Sequence, residues 1–208
     1  MALAYVNGAT GTATATSLTF ATDCTGADIL LVGFSISTGT VSSVTYNGVS
    51  MSLATSNTTN IKTYLYYLVA PATGSNNVVI TASGSATING ASVCYSGAKQ
   101  TGQPEAVSSS SDILLSDISV NVTTTTDNAW VVAIGAVTLG TTLTRLSSGS
   151  TRQNANKVIM FDFGPKTPTG SVTSSFSSNN GFDTIAICVA SISESTTSTG
   201  GSFLPFFI

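Results

Sequence analysis

The sequence predicts an all-β protein, a double-sheet, jelly-roll-like sandwich of about 12 short strands. Three observations carry this. Apolar residues alternate with polar ones over short runs, and no segment holds a 3.6-residue period, so helix should be nearly absent. Ser and Thr make up about a third of the 208 residues, while charged residues are only 7% against a usual share of about 25%. Thr is β-branched and suits a pleated, half-exposed surface, so the composition describes sheets whose outer faces carry hydroxyls. Finally, residues 61–97 are echoed by residues 158–191. Each copy has an aromatic strand, a Pro-containing turn closing on Thr-Gly-Ser, a second strand, a polar loop and a last strand centred on a cysteine, Cys94 or Cys188.

The echo organises the chain into pseudo-symmetric half-repeats, 17–97 and 112–193, joined by a linker at 98–111 (AKQTGQPEAVSSSS) within one sandwich of residues 17–193. Residues 1–16, rich in Gly, Ala and Thr, form an N-terminal arm or edge strand, and 17–22 a short strand. Residues 29–37 (ILLVGFSIS) are an almost unbroken apolar run of strand length, which marks a strand buried on both faces. Next, 41–46 and 49–53 flank Asn47-Gly48, the pair favoured in a two-residue type I′ hairpin. In 62–69, Thr63, Leu65, Tyr67 and Val69 alternate with Lys62, Tyr64, Tyr66 and Leu68. In the second half, 130–137 (WVVAIGAV) matches 29–35, with Gly135 answering Gly33, and Ile159, Phe161 and Phe163 take the face of Leu65 and Tyr67. Residues 194–208 are a flexible spacer and a hydrophobic tail, Phe203-Leu204-Pro205-Phe206-Phe207-Ile208.

Composition narrows the function classes. Net charge is −3 and the six cationic residues are scattered, which argues against a phosphate-tracking groove and so against nucleic acid. There is no histidine, so the commonest general base and transition-metal ligand are missing. No run approaches the roughly 18 apolar residues of a membrane helix, and the N-terminus lacks the pattern of a secretory signal. The chain is therefore expected to be made in a cytoplasm, and three widely spaced cysteines do not suggest a disulfide framework.

Candidate sites are few. Cys94 and Cys188 read as small buried core residues, with Ile185, Ile187 and Val189 on one face of their strand and Ala186, Cys188 and Ala190 on the other. A Cys94–Cys188 bridge requires Cα atoms within about 7 Å. Asp23, Asp28, Asn179, Asn180 and Asp183 supply hard oxygen atoms, but Asp and Asn in turns mostly serve the backbone, and no metal or other cofactor is assigned. Glu105 and Glu194 fall outside the predicted strands, so no carboxylate pair, and no enzyme, is expected. Tyr64 and Tyr66 are the candidate glycan platform, and residues 203–208 the candidate contact with a partner subunit, in the manner of strand addition or an aromatic anchor.

The hairpin Tyr46-Asn47-Gly48-Val49-Ser50-Met51, then Tyr67-Leu68 with Pro71, Gly74 and Val78, then Ser96-Gly97 with Gln100-Thr101, resembles β-sandwich structural proteins of tailed phages. The resemblance spans most of residues 17–190 and implies a virion surface component, a capsid decoration (cement) or fibre-like protein assembled in the host cytoplasm. It implies contacts with other copies and with other virion structural proteins, and carries over no catalytic residue. Low charge, hydroxyl-covered sheets and an adhesive terminus lean the same way. The alternatives are a carbohydrate-binding adhesion module contacting surface glycans and a subunit of an extracellular filament.

Overall fold

In a computed structural model, residues 1–195 are described; the candidate tail Phe203–Ile208 lies outside them. The strands are β1 (Ala4–Asp23), β2 (Ile29–Ile36), β3 (Val41–Tyr46), β4 (Val49–Ser50), β5 (Ser52–Asn57), β6 (Lys62–Val69), β7 (Ser75–Ser96), β8 (Ala106–Leu115), β9 (Asp117–Thr123), β10 (Ala129–Val137), β11 (Leu143–Arg145), β12 (Ser150–Ala155), β13 (Val158–Lys166), β14 (Ser171–Ser178) and β15 (Asp183–Ile192). All named pairings are antiparallel. Among the described residues no helix is long and apolar enough to cross a membrane.

Three sheets replace the expected two. The first runs β4-β3-β7-β2-β6-β5 with β1 also on β7; the second runs β12-β13-β10-β15-β8; the third runs β11-β14-β9. The strands are not uniformly short either. β1 and β7 have 20 and 22 residues and pair along almost their whole length. The expected break near residue 16 is a register shift between Ala15 and Ser17, where the partner moves from Ala86 to Thr81 of β7, not a strand end. The N-terminal residues are thus an edge strand committed to their own chain rather than an arm.

The β1/β7 ribbon folds back on itself. Residues 88–95 of β7 pair with β2, whereas its first half pairs with β3, Val44 opposite Ile80 and Tyr46 opposite Val78. The folded-over half brings Leu18, Phe20, Val44, Tyr46, Val78 and Ile80 against Leu30, Val32, Phe34 and Ile36 of β2. Gly90 sits at this crossing, where an added Cβ would press on Leu18, Ile80 and Phe20 at 3.1–3.3 Å. A second core lies between the first two sheets, with Ile29, Leu31, Leu65, Val93 and Tyr95 facing Val132, Ile134, Met160, Ala186 and Cys188. The third joins the second and third sheets around Val131, Phe161, Phe163, Phe176, Ile185, Ile187 and Val189.

This layering tests the faces assigned from sequence. β2 is buried on both sides along its full length, as its apolar run requires. The Asn47-Gly48 turn has φ values of 49° and 76°, the positive pair that a type I′ hairpin needs. The Ile185/Ile187/Val189 and Ala186/Cys188/Ala190 sets do line different cores. Two assignments are overturned. Gly33 faces the central core, under Ile134, whereas Gly135 faces the third core, under Phe176. Likewise Leu65 points to the central core, and Ile159, Phe161 and Phe163 point away from it. Period-two alternation gives two faces but does not say which one meets which sheet.

The segment 98–111 is not a free linker. β8 begins at Ala106, Ala98 is buried, and the Gln103 side chain donates to Ser193 O at 2.8 Å.

Candidate functional site

The glycan platform is not there. Tyr64 is only 8% exposed and stacks on Phe34, with ring centroids 5.2 Å apart; Tyr66 stacks on the same ring at 5.8 Å. The folded-over ribbon covers the face that the sequence leaves open, and burial raises both phenol pKa values.

The cysteines pair differently from expectation. Cys24, in the turn after β1, is disulfide-bonded to Cys94 with Cα atoms 5.9 Å apart. Cys188 is free and buried, its thiol 3.6 Å from Thr63 O, and burial pushes its pKa up to about 12. A thiol held neutral in this way is inert.

The Asp and Asn oxygens singled out for calcium serve the backbone. Asp23 Oδ1 accepts from Thr25 N–H at 2.9 Å, Asp28 accepts from Gly97 N–H, and Asn179 Oδ1 accepts from Thr141 and Thr142 N–H. Among the described residues no three His, Cys, Asp or Glu side chains are grouped for a metal ion.

Asp183 has the densest set of partners. Oδ1 accepts from Thr138 N–H (3.0 Å), Thr138 hydroxyl (3.0 Å) and Leu139 N–H (2.9 Å); Oδ2 accepts from Gly140 N–H (2.7 Å) and Ser178 hydroxyl (2.8 Å). Burial pushes its pKa up, but these donors outweigh burial and hold it below the ordinary value. The carboxylate thereby fixes the turn after β10 against the start of β15. Around it stand Ile113 (53% exposed), Leu114 (64%), Leu115 (38%), Leu139 (58%) and Phe182 (74%). Leu115 pairs with Asp183 and Ile113 with Thr184, so the end of β8 lies beside the start of β15, next in sequence to Phe182. β8 is also the edge of its sheet. This apolar corner at an open edge could not be read from the sequence, because its members come from three separate segments.

A buried polar cluster ties the first sheet to the second. The Tyr95 hydroxyl and Arg152 Nε–H both donate to Asp162 Oδ2, each at 2.7 Å, and the Arg152 guanidinium lies 4.4 Å from the Tyr5 ring centroid. Trp130 meets Tyr95 edge-on at 5.7 Å. Burial first, then the neighbouring Asp162 charge, pushes the Tyr95 phenol well above its usual range. Tyr5 and Tyr95 come from β1 and β7, and Arg152 and Asp162 from β12 and β13, so the cluster spans the central core.

At the far end of β2 and β10 a cleft of about 550 Å³ opens between the two halves. Lys62 and Lys157 line it together with amides and hydroxyls, among them Thr59, Asn60, Asn89 and Asn156.

No protein-family model matches the chain, and no curated protein matches it in sequence.

Proposed function

We propose that the protein is a non-enzymatic structural component of a phage particle surface, a decoration or fibre-like subunit that works by packing against copies of itself. The observation that carries this is the set of exposed apolar side chains Ile113, Leu114, Leu115, Leu139 and Phe182 near Asp183, which joins the Leu139 turn to the start of β15 beside β8, an edge strand among the described residues. Apolar side chains clustered at a sheet edge are an association surface that a protein working alone would blunt with charge. The Cys24–Cys94 bond supports a working place outside a reducing cytoplasm.

The internal repeat belongs to the same proposal. The order β1-β7-β2-β6-β5 corresponds strand for strand to β8-β15-β10-β13-β12, and β3, β7 and β1 correspond to β11, β14 and β9. Across the central core β1 meets β12, β7 meets β13, β2 meets β10, β6 meets β15 and β5 meets β8. These pairings support a jelly-roll-like arrangement in which two half-repeats face each other about a pseudo-twofold axis through β2 and β10, as in an isologous dimer fused into one chain.

Light scattering tests the assembly. Full-length protein should form oligomers of defined mass, and Leu114→Glu with Phe182→Glu should give a folded monomer. A full-length monomer at high concentration, or an unchanged mass in the double variant, refutes the packing role. A version lacking residues 200–208 shows whether the tail also contributes. An antibody against the chain should label particles in lysates of the host that carries its gene; unlabelled particles refute the virion placement.

A further inference from the structure

We infer that the cleft between the halves is a binding site for a saccharide bearing an anionic group. This stands apart from the assembly proposal, since it uses different residues and a different readout.

The charge balance comes first. Two of the chain's six cationic residues line this one cleft, and no Asp or Glu lines it, in a chain of net charge −3. The lysines come from opposite sides of the central core. Lys62 opens β6 and Lys157 sits in the turn that opens β13. The ends of β2 and β10 form the floor through Ile36 and Val137, both buried. Each ammonium is oriented by one carbonyl: Lys62 Nζ donates to Gly39 O and Lys157 Nζ to Thr138 O. An ammonium carries three donors, so each keeps donors for a ligand.

The backbone supplies an independent observation. The two-residue turn between β12 and β13 is Asn156-Lys157, with φ values of 53° and 66°. Asn47-Gly48 solves the same problem with glycine in second place, where a Cβ is penalised. At the matching position this chain carries lysine and bears the strain. A strained residue whose charged end lines a cleft is the pattern of a functional position.

The rest of the lining sets the ligand class. Thr59, Asn60, Asn89 and Asn156 offer neutral donors and acceptors suited to vicinal hydroxyls, and the two lysines suit a carboxylate or sulfate. A volume of about 550 Å³ lies in the range of small-ligand sites and holds a disaccharide.

The test is calorimetric titration of the full-length protein with a glucuronate-containing disaccharide, its neutral glucose counterpart and sodium sulfate. The acidic disaccharide should bind saturably and at least about tenfold more tightly than either control. Lys62→Ala and Lys157→Gly should each weaken it by about fivefold or more, while Lys157→Gly melts above wild type because the turn loses its strain. Circular dichroism checks that Lys62→Ala is folded. Absence of saturable binding, equal affinity for the neutral sugar, sulfate binding as tightly as the disaccharide, or unchanged affinity in both variants overturns the inference.

Discussion

Replacing Asp162 by alanine is the sharpest test of how the central core is held. Asp162 is 2% exposed and accepts from both Tyr95 and Arg152. Without it, the fully buried Tyr95 hydroxyl loses its acceptor, which costs about 1–3 kcal/mol. Arg152 is 22% exposed and still packs on Tyr5, so its share is that of a largely screened pair, up to about 1 kcal/mol. The expected loss is therefore about 1–4 kcal/mol, or roughly 2–16 °C in melting temperature for a chain of this size. Urea unfolding followed by Trp130 fluorescence and by circular dichroism gives the free energy with a check on two-state behaviour. A cycle of Tyr95→Phe with Asp162→Ala isolates the hydrogen bond, whose coupling should be about 1–3 kcal/mol. If Asp162→Ala lies within about 0.5 kcal/mol of wild type at unchanged m-value, the cluster does not hold the sheets and the account fails.

Three more predictions follow from the same structure. Gly33→Ala would place a methyl 2.7 Å from Ile134 Cβ where β2 crosses β10, and this overpacking should cost about 1–3 kcal/mol in chemical denaturation. Removing the Cys24–Cys94 bond, which closes a loop of sequence separation 70, should cost up to about 4 kcal/mol by the loop-entropy argument; a Cys24→Ser, Cys94→Ser protein that melts with wild type counts against the bond. Asp183 and Glu105 have folded pKa values below their unfolded ones: burial raises each, but hydrogen bonds from Leu139 and Gly140, and from Thr126 and Ser191, outweigh it. Their stabilisation is complete above the unfolded values and is lost as pH falls through the folded ones, so stability should drop below about pH 4. Asp183→Asn should lessen that slope, and an identical acid-unfolding curve would refute its role.

What the sequence reveals depends on how local the physics is. The β2 strand and the Asn47-Gly48 hairpin are legible because one apolar run and one turn specify them. The full length of β1 is not, because an edge strand of Thr, Ala and Gly looks like a coil until β7 lies beside it. Tyr64 and Tyr66 are misread for a related reason. Alternation puts them on the outer face of β6, and only the returning ribbon, from residues far away in sequence, covers that face. Cys24 had no signal pairing it with Cys94, since 70 residues of sheet intervene. The cleft and the apolar corner are less legible still. Lys62 and Lys157 carry no shared motif, and the corner brings together three segments, two joined by the Asp183 carboxylate and the third by the β8–β15 pairing.

The meeting of Met1 with Ser195 carries an engineering consequence. The Met1 amine donates to Ser195 O at 2.7 Å, and Ser195 N–H donates to Gly97 O, so both ends of the described chain meet beside Asp28 and Gly97. That is the start of β2, whereas the cleft lies at its other end. A short loop from Ser195 to Met1 would let the chain be circularly permuted, with new ends cut at Asn47-Gly48. Likewise, a cargo fused at Met1 would leave from this pole and keep the cleft unobstructed at the opposite pole.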